Sequence, residues 1–303
     1  MHSVKVGDIL WPPNIHGEVE EQKVSAQLMG EHFVNIAGYR FVDLPDRDDL
    51  RKPLQDLSAL LELKGTILLS TEGINFFLSA SEANIGTFIS ELEKDERFVG
   101  ITLKRSYTDY QPFNRMNVRL KKEIISVGMD EIQPARFTGE EITPTEFKKW
   151  LDEGREIAVI DTRNGYELRV GTFENAIDLN LKSFRQFPQA AEALLEELED
   201  IPIVMYCTGG VRCEKASAIM LNQGFKNVYQ LKGGVLGYFE EVGGAHWVGD
   251  CFVFDQRVSV NSQLEETGFA QCFACREPIS EQEQNSPEYV VGESCPYCID
   301  RKE

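Results

Sequence analysis

Residues 201–213 read "IPIVMYCTGGVRC", and this stretch decides the fold of the central part of the chain. Its apolar first half, flanked by segments of helical pattern, is typical of a central strand in a parallel sheet that is covered on both faces. The strand ends on Cys207, and Gly209 and Gly210 let the chain turn sharply into the next helix, which Gly224 closes. Ligands of open α/β sheets bind at the carboxyl ends of the strands, so a site is expected at Cys207.

Cys207 has the surroundings of a reactive cysteine. The N–H groups of the glycine pair would form an anion-binding nest at a helix N-terminus, and Arg212 adds a positive charge. Both features favour the thiolate and lower its pKa. A small buried cysteine in a tight turn is the alternative, but the combination favours a functional site. Cys213 falls in the first helical turn, where it either resolves an oxidised or persulfidated Cys207 or packs in the helix.

The alternation of strands and helices around this stretch predicts a doubly wound α/β domain over residues 140–246. "TPTE" at 143–146 combines an N-cap threonine, a first-turn proline and a glutamate three residues on, and it marks the first helix of the domain. A strand over 156–162, a loop over 163–173 and a helix over 189–200 are predicted to precede the central strand.

The N-terminal part of the chain has a different order of elements. Residues 32–130 show strand, helix, two strands, helix and strand, which is the order of a ferredoxin-like βαββαβ unit. The first helix is predicted to stop at Gly65, and a turn over 71–73 joins the paired strands. Residues 1–31 lack clear periodicity and are interpreted as an N-terminal extension. The fold class is therefore α+β in the first domain and α/β in the second.

A basic stretch with interleaved aromatics, residues 104–123, is the candidate RNA contact. Six basic residues stand against two acidic ones there, although the whole chain carries a net charge of −19. Unpaired bases stack on aromatic rings while Lys and Arg hold phosphates. The alternative is a solvated strand face whose aromatics belong to the core. The predicted RNA-binding residues are Lys104, Arg105, Tyr107, Arg115, Arg119, Lys121 and Lys122.

Four of the seven cysteines form two C-x-x-C pairs in a small C-terminal segment, residues 247–303. The polar stretch between the pairs could hardly build its own core, and four thiolates at this spacing close a tetrahedral zinc site in zinc ribbons. Reduced surface cysteines are the alternative. The predicted ligands of a structural Zn²⁺ are Cys272, Cys275, Cys295 and Cys298.

Composition limits the class of protein. A chain of 303 residues predicts two or three domains, and 42% hydrophobic with 27% charged residues is typical of soluble globular proteins. No apolar run reaches the roughly 18 residues of a membrane span. The N-terminus lacks a secretory signal, so a cytoplasmic location is expected. The acidic net charge argues against indiscriminate binding to nucleic acid.

The stretch "CTGGVR" at 207–212 resembles the six-residue active-site loop of rhodanese domains, whose first cysteine carries a persulfide. Residues 160–179 resemble the upstream rhodanese signature, and residues 224–234 resemble its closing segment. Related phosphatases of this fold have a loop one residue longer, which disfavours a phosphatase here. The resemblance implies two catalytic residues, Cys207 and Arg212. The remaining loop residues are Thr208, Gly209, Gly210 and Val211, and the supporting residues are Asp161, Arg163, Glu167 and Cys213.

The wider pattern is similar to the rhodanese-domain tRNA uridine hydroxylases. "MYCTGGVRCEKASA", "LKGGVLGYFEE", "GDCFVFDQRVSV", "KGTILLSTEGIN" and "RMNVRLKKEI" carry this resemblance, which covers about residues 33–262. It implies oxygen-dependent formation of 5-hydroxyuridine at the wobble position, with molecular oxygen as co-substrate and the tRNA anticodon loop as partner. No organic cofactor and no protein partner is identified. The runner-up function is a sulfurtransferase that passes a Cys207 persulfide to an RNA or protein acceptor, and a non-catalytic scaffold is disfavoured by the intact loop.

Two reaction schemes fit the residues. In the first, the Cys207 thiolate adds to carbon 6 of uracil, and carbon 5 becomes electron-rich enough to capture an oxygen electrophile. Arg212 and the loop N–H groups would hold the developing anion, and the base would have to turn out of the anticodon stack. In the second, Cys207 is itself oxidised or persulfidated and carries the reactive group.

Overall fold

The computed structural model describes residues 32–301, which divide into two compact units with a boundary between Ser126 and Val127. The extension predicted for residues 1–31 lies outside the described residues. Within residues 32–301, no helix has both the length and the apolar character that crossing a membrane requires.

The first unit has the predicted βαββαβ order and then one further strand. Its elements are β1 (Phe33–Phe41), α1 (Arg47–Leu60), β2 (Lys64–Ser70), β3 (Gly73–Ala80), α2 (Glu82–Leu92), a 3₁₀ turn (Glu96–Phe98), β4 (Leu103–Thr108) and β5 (Met116–Leu120). The strands lie in the order β4-β1-β3-β2-β5. The pairs β4–β1, β1–β3 and β3–β2 are antiparallel, and β5 runs parallel to β2. The ferredoxin-like prediction is therefore confirmed, with β5 as an added edge strand.

Strand alternation builds the core of the first unit. Successive side chains of a strand point to opposite faces of the sheet. Ile36 of β1 pairs with Leu78 of β3, and both are buried in one cluster with Leu54 of α1 and Phe88 of α2. Each such side chain contributes about 1.5–3 kcal/mol by leaving water. The two helices therefore cover one face of the sheet.

The predicted stop of the first helix at Gly65 is wrong. Helix α1 ends at Leu60, and the chain turns through Glu62, whose φ is 53°. Gly65 lies inside β2 with φ of 130°, and a Cβ there would come within 2.0 Å of the carbonyl oxygen of Phe77. This glycine therefore allows a close strand approach, which a helix-stop signal resembles in sequence.

The second unit contains the predicted parallel sheet. Its elements are β6 (Glu140–Ile142), α3 (Pro144–Asp152), β7 (Ala158–Asp161), α4 (Gly165–Leu168), β8 (Gly171–Phe173), β9 (Ile177–Asp178), a 3₁₀ turn (Phe184–Gln186), α5 (Phe187–Glu192), α6 (Leu195–Leu198), β10 (Ile203–Tyr206), α7 (Val211–Gln223), β11 (Val228–Leu231) and α8 (Gly234–Val242). The strand order β6-β11-β10-β7-β9 places β10 at the centre, and all its neighbours run parallel. The doubly wound α/β prediction is confirmed.

Local signals account for the helix boundaries in this unit only in part. Thr143 accepts the Glu146 N–H at 3.2 Å and begins α3 as predicted. The helix predicted over 189–200 is divided into α5 and α6, because the Leu194 N–H bonds to the Ala191 carbonyl, three residues back. The loop predicted over 163–173 contains the short helix α4 and the strand β8.

The C-terminal segment consists of short elements. They are β12 (Trp247–Gly249), β13 (Cys251–Phe252), β14 (Ser259–Val260), β15 (Ala270–Gln271), β16 (Pro278–Ile279), α9 (Glu281–Gln284) and a 3₁₀ turn (Ile299–Arg301). Strand β12 pairs with β8, and Cys251 and Val260 pack in the same cluster as Tyr206 of β10. Residues 247–260 therefore complete the α/β core, and the cysteine-rich residues follow them.

Candidate active site

Cys207 lies at the carboxyl end of the central strand β10, where the sequence predicts a site. Its side chain is completely buried, and the Gly210 N–H donates a hydrogen bond to Cys207 Sγ at 3.1 Å. Gly210 has φ of 102°, a conformation that favours glycine. Helix α7 begins directly afterwards at Val211, so Arg212 and Cys213 fall in its first turn. The turn therefore delivers a backbone donor to the sulfur.

A second glycine pair supports the loop from the other side. Gly233 and Gly234 have φ of 72° and 62° at the start of α8. The Val235 N–H donates to the Cys207 carbonyl at 2.9 Å, and the Leu236 N–H donates to the Thr208 carbonyl at 3.1 Å. A Cβ at Gly234 would lie 2.4 Å from the Cys207 carbonyl oxygen. Sequence reasoning missed this role, although adjacent glycines before a helix were a visible signal.

Arg212 is held by a buried carboxylate. Its Nη1 and Nη2 donate to Glu167 Oε2 and Oε1 at 2.6 and 2.7 Å, and Thr208 Oγ1 donates to Glu167 Oε1 at 3.2 Å. Burial opposes ionisation of Glu167, but the charge and hydrogen bonds of Arg212 lower its pKa. Because two guanidinium nitrogens are bound to Glu167, the side chain of Arg212 acts on Cys207 through its charge, and the Arg212 backbone N–H adds a hydrogen bond. Direct contact between Arg212 and a substrate stays a prediction.

The pKa values of Cys207 and Cys213 are shifted in opposite directions. Burial by itself raises the pKa of Cys207. The hydrogen bond from Cys213, the charge of Arg212 and the nearby backbone N–H groups oppose this effect and lower the pKa to about 6. Burial and the neighbouring Cys207 sulfur hold the pKa of Cys213 well above its usual range. Near neutral pH, Cys207 is therefore a thiolate and Cys213 a thiol.

Thr162 belongs to the same environment and was missed by sequence reasoning. It is fully buried, and its Oγ1 donates to the Tyr206 carbonyl at 2.8 Å and lies 3.8 Å from Cys213 Sγ. It stands directly after β7, the neighbour of β10 in the sheet. Threonine between the signature residues Asp161 and Arg163 gave no separate signal in the sequence.

Asp161 and Arg163 pair with each other. Arg163 Nε and Nη2 donate to Asp161 Oδ1 and Oδ2 at 2.9 and 2.6 Å, and Nη2 also donates to the Gly171 carbonyl at 2.6 Å. The Arg163 guanidinium lies 5.1 Å from the ring centroid of Trp247 and 5.5 Å from that of Tyr206. The structure thus brings Glu167 to the loop, while Asp161 and Arg163 fix the turn after β7.

The predicted RNA-binding residues lie on opposite edges of the first unit's sheet. Lys104, Arg105 and Tyr107 belong to the edge strand β4, and Arg119 belongs to the other edge strand, β5. Arg105 is bound to Glu82 at 2.7 Å, whereas the ring of Tyr107 is 59% exposed. Four basic residues on and beside β5 are exposed, namely Arg115, Arg119, Lys121 and Lys122. The stretch is therefore continuous in sequence but divided in space.

The four C-terminal cysteines come together as predicted. Their sulfurs all lie within 4.8 Å of one another. The distances are 3.9 Å for Cys272–Cys298, 3.5 Å for Cys275–Cys295 and 3.6 Å for Cys295–Cys298. Sulfurs of a tetrahedral site with Zn–S bonds of about 2.3 Å lie about 3.8 Å apart. The sulfur positions therefore fit a tetrahedral metal ion.

Comparison with known proteins agrees with this geometry. Residues 33–124 match the UPF0176 acylphosphatase-like domain, and residues 143–241 match the rhodanese-like domain. The chain is 50% identical over 275 residues to a tRNA uridine(34) hydroxylase of Cupriavidus necator, a match that covers 89% of this chain and 98% of that protein. Proteins of the same name from Cupriavidus pinatubonensis and Ralstonia nicotianae are 49% and 45% identical over 88% and 89% of this chain, and the matches cover 97% of each relative.

The parallel sheet and the cysteine loop define a protein with a rhodanese-like domain, preceded by an acylphosphatase-like domain. Identity of 45–50% to these relatives over nearly their whole length settles the narrower class. The chain belongs to the tRNA uridine(34) hydroxylase family.

Proposed function

We propose that this chain is an enzyme that hydroxylates uridine 34 of tRNA, with Cys207 as its reactive residue. The observation that carries the proposal is the near-complete match to relatives of that name, together with the thiolate environment of Cys207. A sulfurtransferase, the alternative that the loop allows, is not favoured by the names of these relatives. A tRNA substrate is consistent with the predicted cytoplasmic location.

Cys207 supplies the thiolate that an addition–elimination route needs. Its sulfur bonds to carbon 6 of uracil, and the electron pair of the C5–C6 double bond becomes available at carbon 5. Carbon 5 takes one oxygen atom from molecular oxygen. Loss of the carbon 5 proton and departure of the sulfur from carbon 6 then restore the double bond and free 5-hydroxyuridine.

The oxidation balances when a thiol reductant takes part. One oxygen atom enters the base and the other leaves as water, which requires two electrons and two protons. Two thiols that become one disulfide supply both. Uracil C–H, molecular oxygen and two thiols thus give uracil C–OH, water and a disulfide.

The burial of Cys207 sets a condition on this route. Its side chain has no exposed surface, and Thr208 is 4% exposed. A base reaches the sulfur only when the residues over the loop move aside, and the base must also leave the anticodon stack. The Gly210 N–H and the charge of Arg212 are already in place to stabilise the thiolate.

We place the main tRNA contact of the first unit at the β5 edge. Lys121 and Lys122 continue this edge from Arg119, and all three side chains are exposed. On the β4 edge, Arg105 forms an ion pair with Glu82. Tyr107 on the same edge is exposed and available for stacking. Each phosphate contact that is lost lowers the salt dependence of binding by about one counterion.

Charge reversal tests this assignment. Lys121→Glu with Lys122→Glu is expected to weaken binding of the anticodon stem-loop at least tenfold and to flatten its salt dependence, measured by fluorescence anisotropy. Lys148→Glu with Lys149→Glu on α3 is the charge-matched control, with a melting measurement beside it because Lys148 is half-buried and pairs with Asp152 at 2.6 Å. Equal binding by both double variants would contradict the β5 assignment.

We also propose that the four clustered cysteines hold a structural Zn²⁺. The sulfur distances support a closed four-thiolate site, and such a site leaves no ligand position for catalysis. Bound metal would tie the two C-x-x-C turns together. Metal analysis of the purified chain, with an expected one zinc per chain, checks this.

Nucleoside analysis tests the proposed reaction. tRNA from cells that lack the protein should lose 5-hydroxyuridine and its derivatives, and wild type but not Cys207→Ser should restore them. Undiminished levels in the deletion strain would contradict the function, provided that no parallel pathway is present. A covalent complex with tRNA that carries 5-fluorouridine at position 34 is expected by mass spectrometry, and binding without an adduct on Cys207 would favour the scheme with a modified sulfur.

A further inference from the structure

The four-cysteine cluster contacts the helix that carries Glu167. Tyr297 lies between Cys295 and Cys298, and the Arg169 guanidinium carbon is 3.9 Å from the centroid of its ring. Arg169 Nη2 also donates to Glu277 Oε2 at 2.7 Å. Both C-x-x-C turns therefore contribute a contact to one arginine, because Glu277 follows the first turn and Tyr297 belongs to the second.

Residues on the cluster side are themselves fixed. The Glu277 carbonyl accepts the Cys272 N–H at 2.9 Å, which ties Glu277 to the first turn. The Tyr297 hydroxyl donates to Glu283, and Glu283 caps α9 through the N–H and the hydroxyl of Ser280. The ring and the carboxylate that hold Arg169 thus depend on the folded cluster.

On the other side, Arg169 is close to the reactive loop through the backbone. It directly follows α4, and its N–H bonds to the Gly165 carbonyl at 3.2 Å. Glu167, two residues earlier, holds Arg212 with two hydrogen bonds and accepts a third from Thr208. A displacement of α4 therefore moves the carboxylate that fixes the charge beside Cys207.

We propose that Arg169 and Tyr297 are positioning residues, through which the four-cysteine cluster holds α4 and thereby the Glu167–Arg212 pair beside the Cys207 loop. The proposal rests on the proposed function only in naming Cys207 as the reactive residue. The groups that act directly on the Cys207 sulfur are Arg212 and Cys213 of α7 and the loop N–H groups. Loss of the cluster contact leaves all of them in the chain but releases the anchor of Arg212.

The molecule offers a matched control for Arg169. Arg155 pairs with Glu153 at 2.8 Å and lies 5.1 Å from the ring centroid of Trp150. It has the same combination of an acidic partner and an aromatic ring, and the side chains of both arginines are partly exposed, at 44% and 39%. It follows α3, and its partners are not part of the Cys207 loop. Arg155→Ala therefore removes equivalent contacts elsewhere in the same unit.

Titration of Cys207 in the full chain tests the proposal. Thiolate absorbance at 240 nm is followed against pH, and the curve of the matching Cys207→Ser variant is subtracted. Arg169→Ala and Tyr297→Leu are expected to shift the Cys207 step upward by about 0.5–1 pH unit, which corresponds to a 3- to 10-fold change in the ionisation constant. Tyr297→Phe, which keeps the ring but loses the hydroxyl bond to Glu283, should shift the step less than Tyr297→Leu, and Arg155→Ala should leave the step in place. An unchanged or lowered step in Arg169→Ala, with zinc content and melting temperature retained, overturns the proposal.

Metal removal gives a second, independent measurement. Zinc stripped from the wild type with a chelator should shift the Cys207 step as Arg169→Ala does, and stripping the Arg169→Ala variant should add no further shift. Additive shifts would show that the metal acts by another route and overturn the proposal. If the wild type fails to hydroxylate tRNA but Arg169→Ala still shifts the Cys207 step upward as expected, the result counts against the proposed function alone.

Discussion

Cys207 and the four cysteines of the C-terminal cluster are all held by tight backbone turns, yet their electrostatic surroundings differ. At Cys207, burial is opposed by the charge of Arg212, the Cys213 thiol and backbone N–H groups, so a single thiolate is stable. In the cluster, burial and the neighbouring sulfurs raise the pKa of Cys295. At Cys272, burial also raises the pKa, but backbone N–H groups and neighbouring thiols outweigh it and lower the pKa to about 7. Four thiolates within 4.8 Å of one another would repel each other, and a cation held between them would offset that repulsion.

The difference shows what each sulfur site needs in order to be complete. Cys207, beside the fixed Arg212 and the Cys213 thiol, is ionised without a metal, and a substrate reaches it once the residues over the loop move aside. A group of four sulfurs becomes a stable unit when a cation replaces their protons. We thus propose that cysteine takes part in the reaction at position 207 and in folding in the four-cysteine cluster.

Cys207→Ser is expected to have the largest effect. Replacing the nucleophile should lower kcat/KM for tRNA hydroxylation at least about 10³-fold, because a serine hydroxyl is not ionised at neutral pH. Single-turnover assays with tRNA transcripts measure this. Cys251→Ser is the control, since Cys251 is equally buried but burial raises its pKa to about 12. Activity of Cys207→Ser within tenfold of wild type would contradict the proposed role of Cys207 as the reactive residue.

Cys272→Ser tests the proposed structural metal site of the four-cysteine cluster. Loss of one of four ligands should abolish stoichiometric zinc binding and lower the free energy of unfolding by about 4 kcal/mol, because the polar segment then loses its metal core. Metal analysis and thermal unfolding measure both effects. Cys207→Ser should keep full zinc content, so the two variants are expected to give opposite patterns. Normal stability of a zinc-free chain would contradict a structural role for metal.

Arg212→Met removes the positive charge that lies beside Cys207. Glu167 is then a buried carboxylate without its partner, which should cost about 3 kcal/mol of stability. The pKa of Cys207 should rise, because the largest positive charge near the sulfur is gone. Denaturant unfolding and thiolate absorbance measure the two effects.

A double variant separates these two effects. Arg212→Met with Glu167→Leu should recover part of the stability, because neither charge is left buried without a partner. It should not restore the low pKa of Cys207, and full restoration would mean that Cys213 and the backbone N–H groups hold the thiolate without Arg212.

Patterns that depend on local chemistry predicted much of this molecule. The apolar run before Cys207 predicted a central strand, and β10 is the central strand. The C-x-x-C spacing predicted a cluster, and the sulfurs meet. Both predictions rest on short-range patterns, since strand burial and metal spacing are encoded within about thirty residues.

Features set by pairing between distant segments were not predictable in the same way. The basic stretch over 104–123 is divided because β4 and β5 pair with different strands, on opposite edges of the sheet. The support of the Cys207 loop by Gly234 depends on α8 packing against the loop, which no local pattern encodes. The bond from Arg212 to Glu167 joins residues 45 positions apart. The sequence analysis named Glu167 only through family resemblance and did not predict this bond.

The pH profile gives the smallest effect and addresses the open role of Cys213. On the proposed role of the Cys207 thiolate, whose pKa is lowered to about 6, kcat/KM for hydroxylation should rise with pH and level off above about 7. At pH 5 it should be about one tenth of the plateau. The lowered pKa also means that the thiolate stabilises the fold at higher pH, and this contribution is lost as pH falls through about 6. A midpoint near 8.5 would contradict the thiolate assignment.

Cys213→Ala then separates the two roles that the sequence leaves open for this residue. If Cys213 acts by donating a hydrogen bond to Cys207, its removal should shift the midpoint upward and leave the plateau intact. If it acts as a resolving thiol, the plateau of repeated turnover should fall while the first turnover is normal. The buried position of Cys213 and the hydrogen bond it makes favour the first result. A normal midpoint with a lowered plateau would instead make the two cysteines a redox pair.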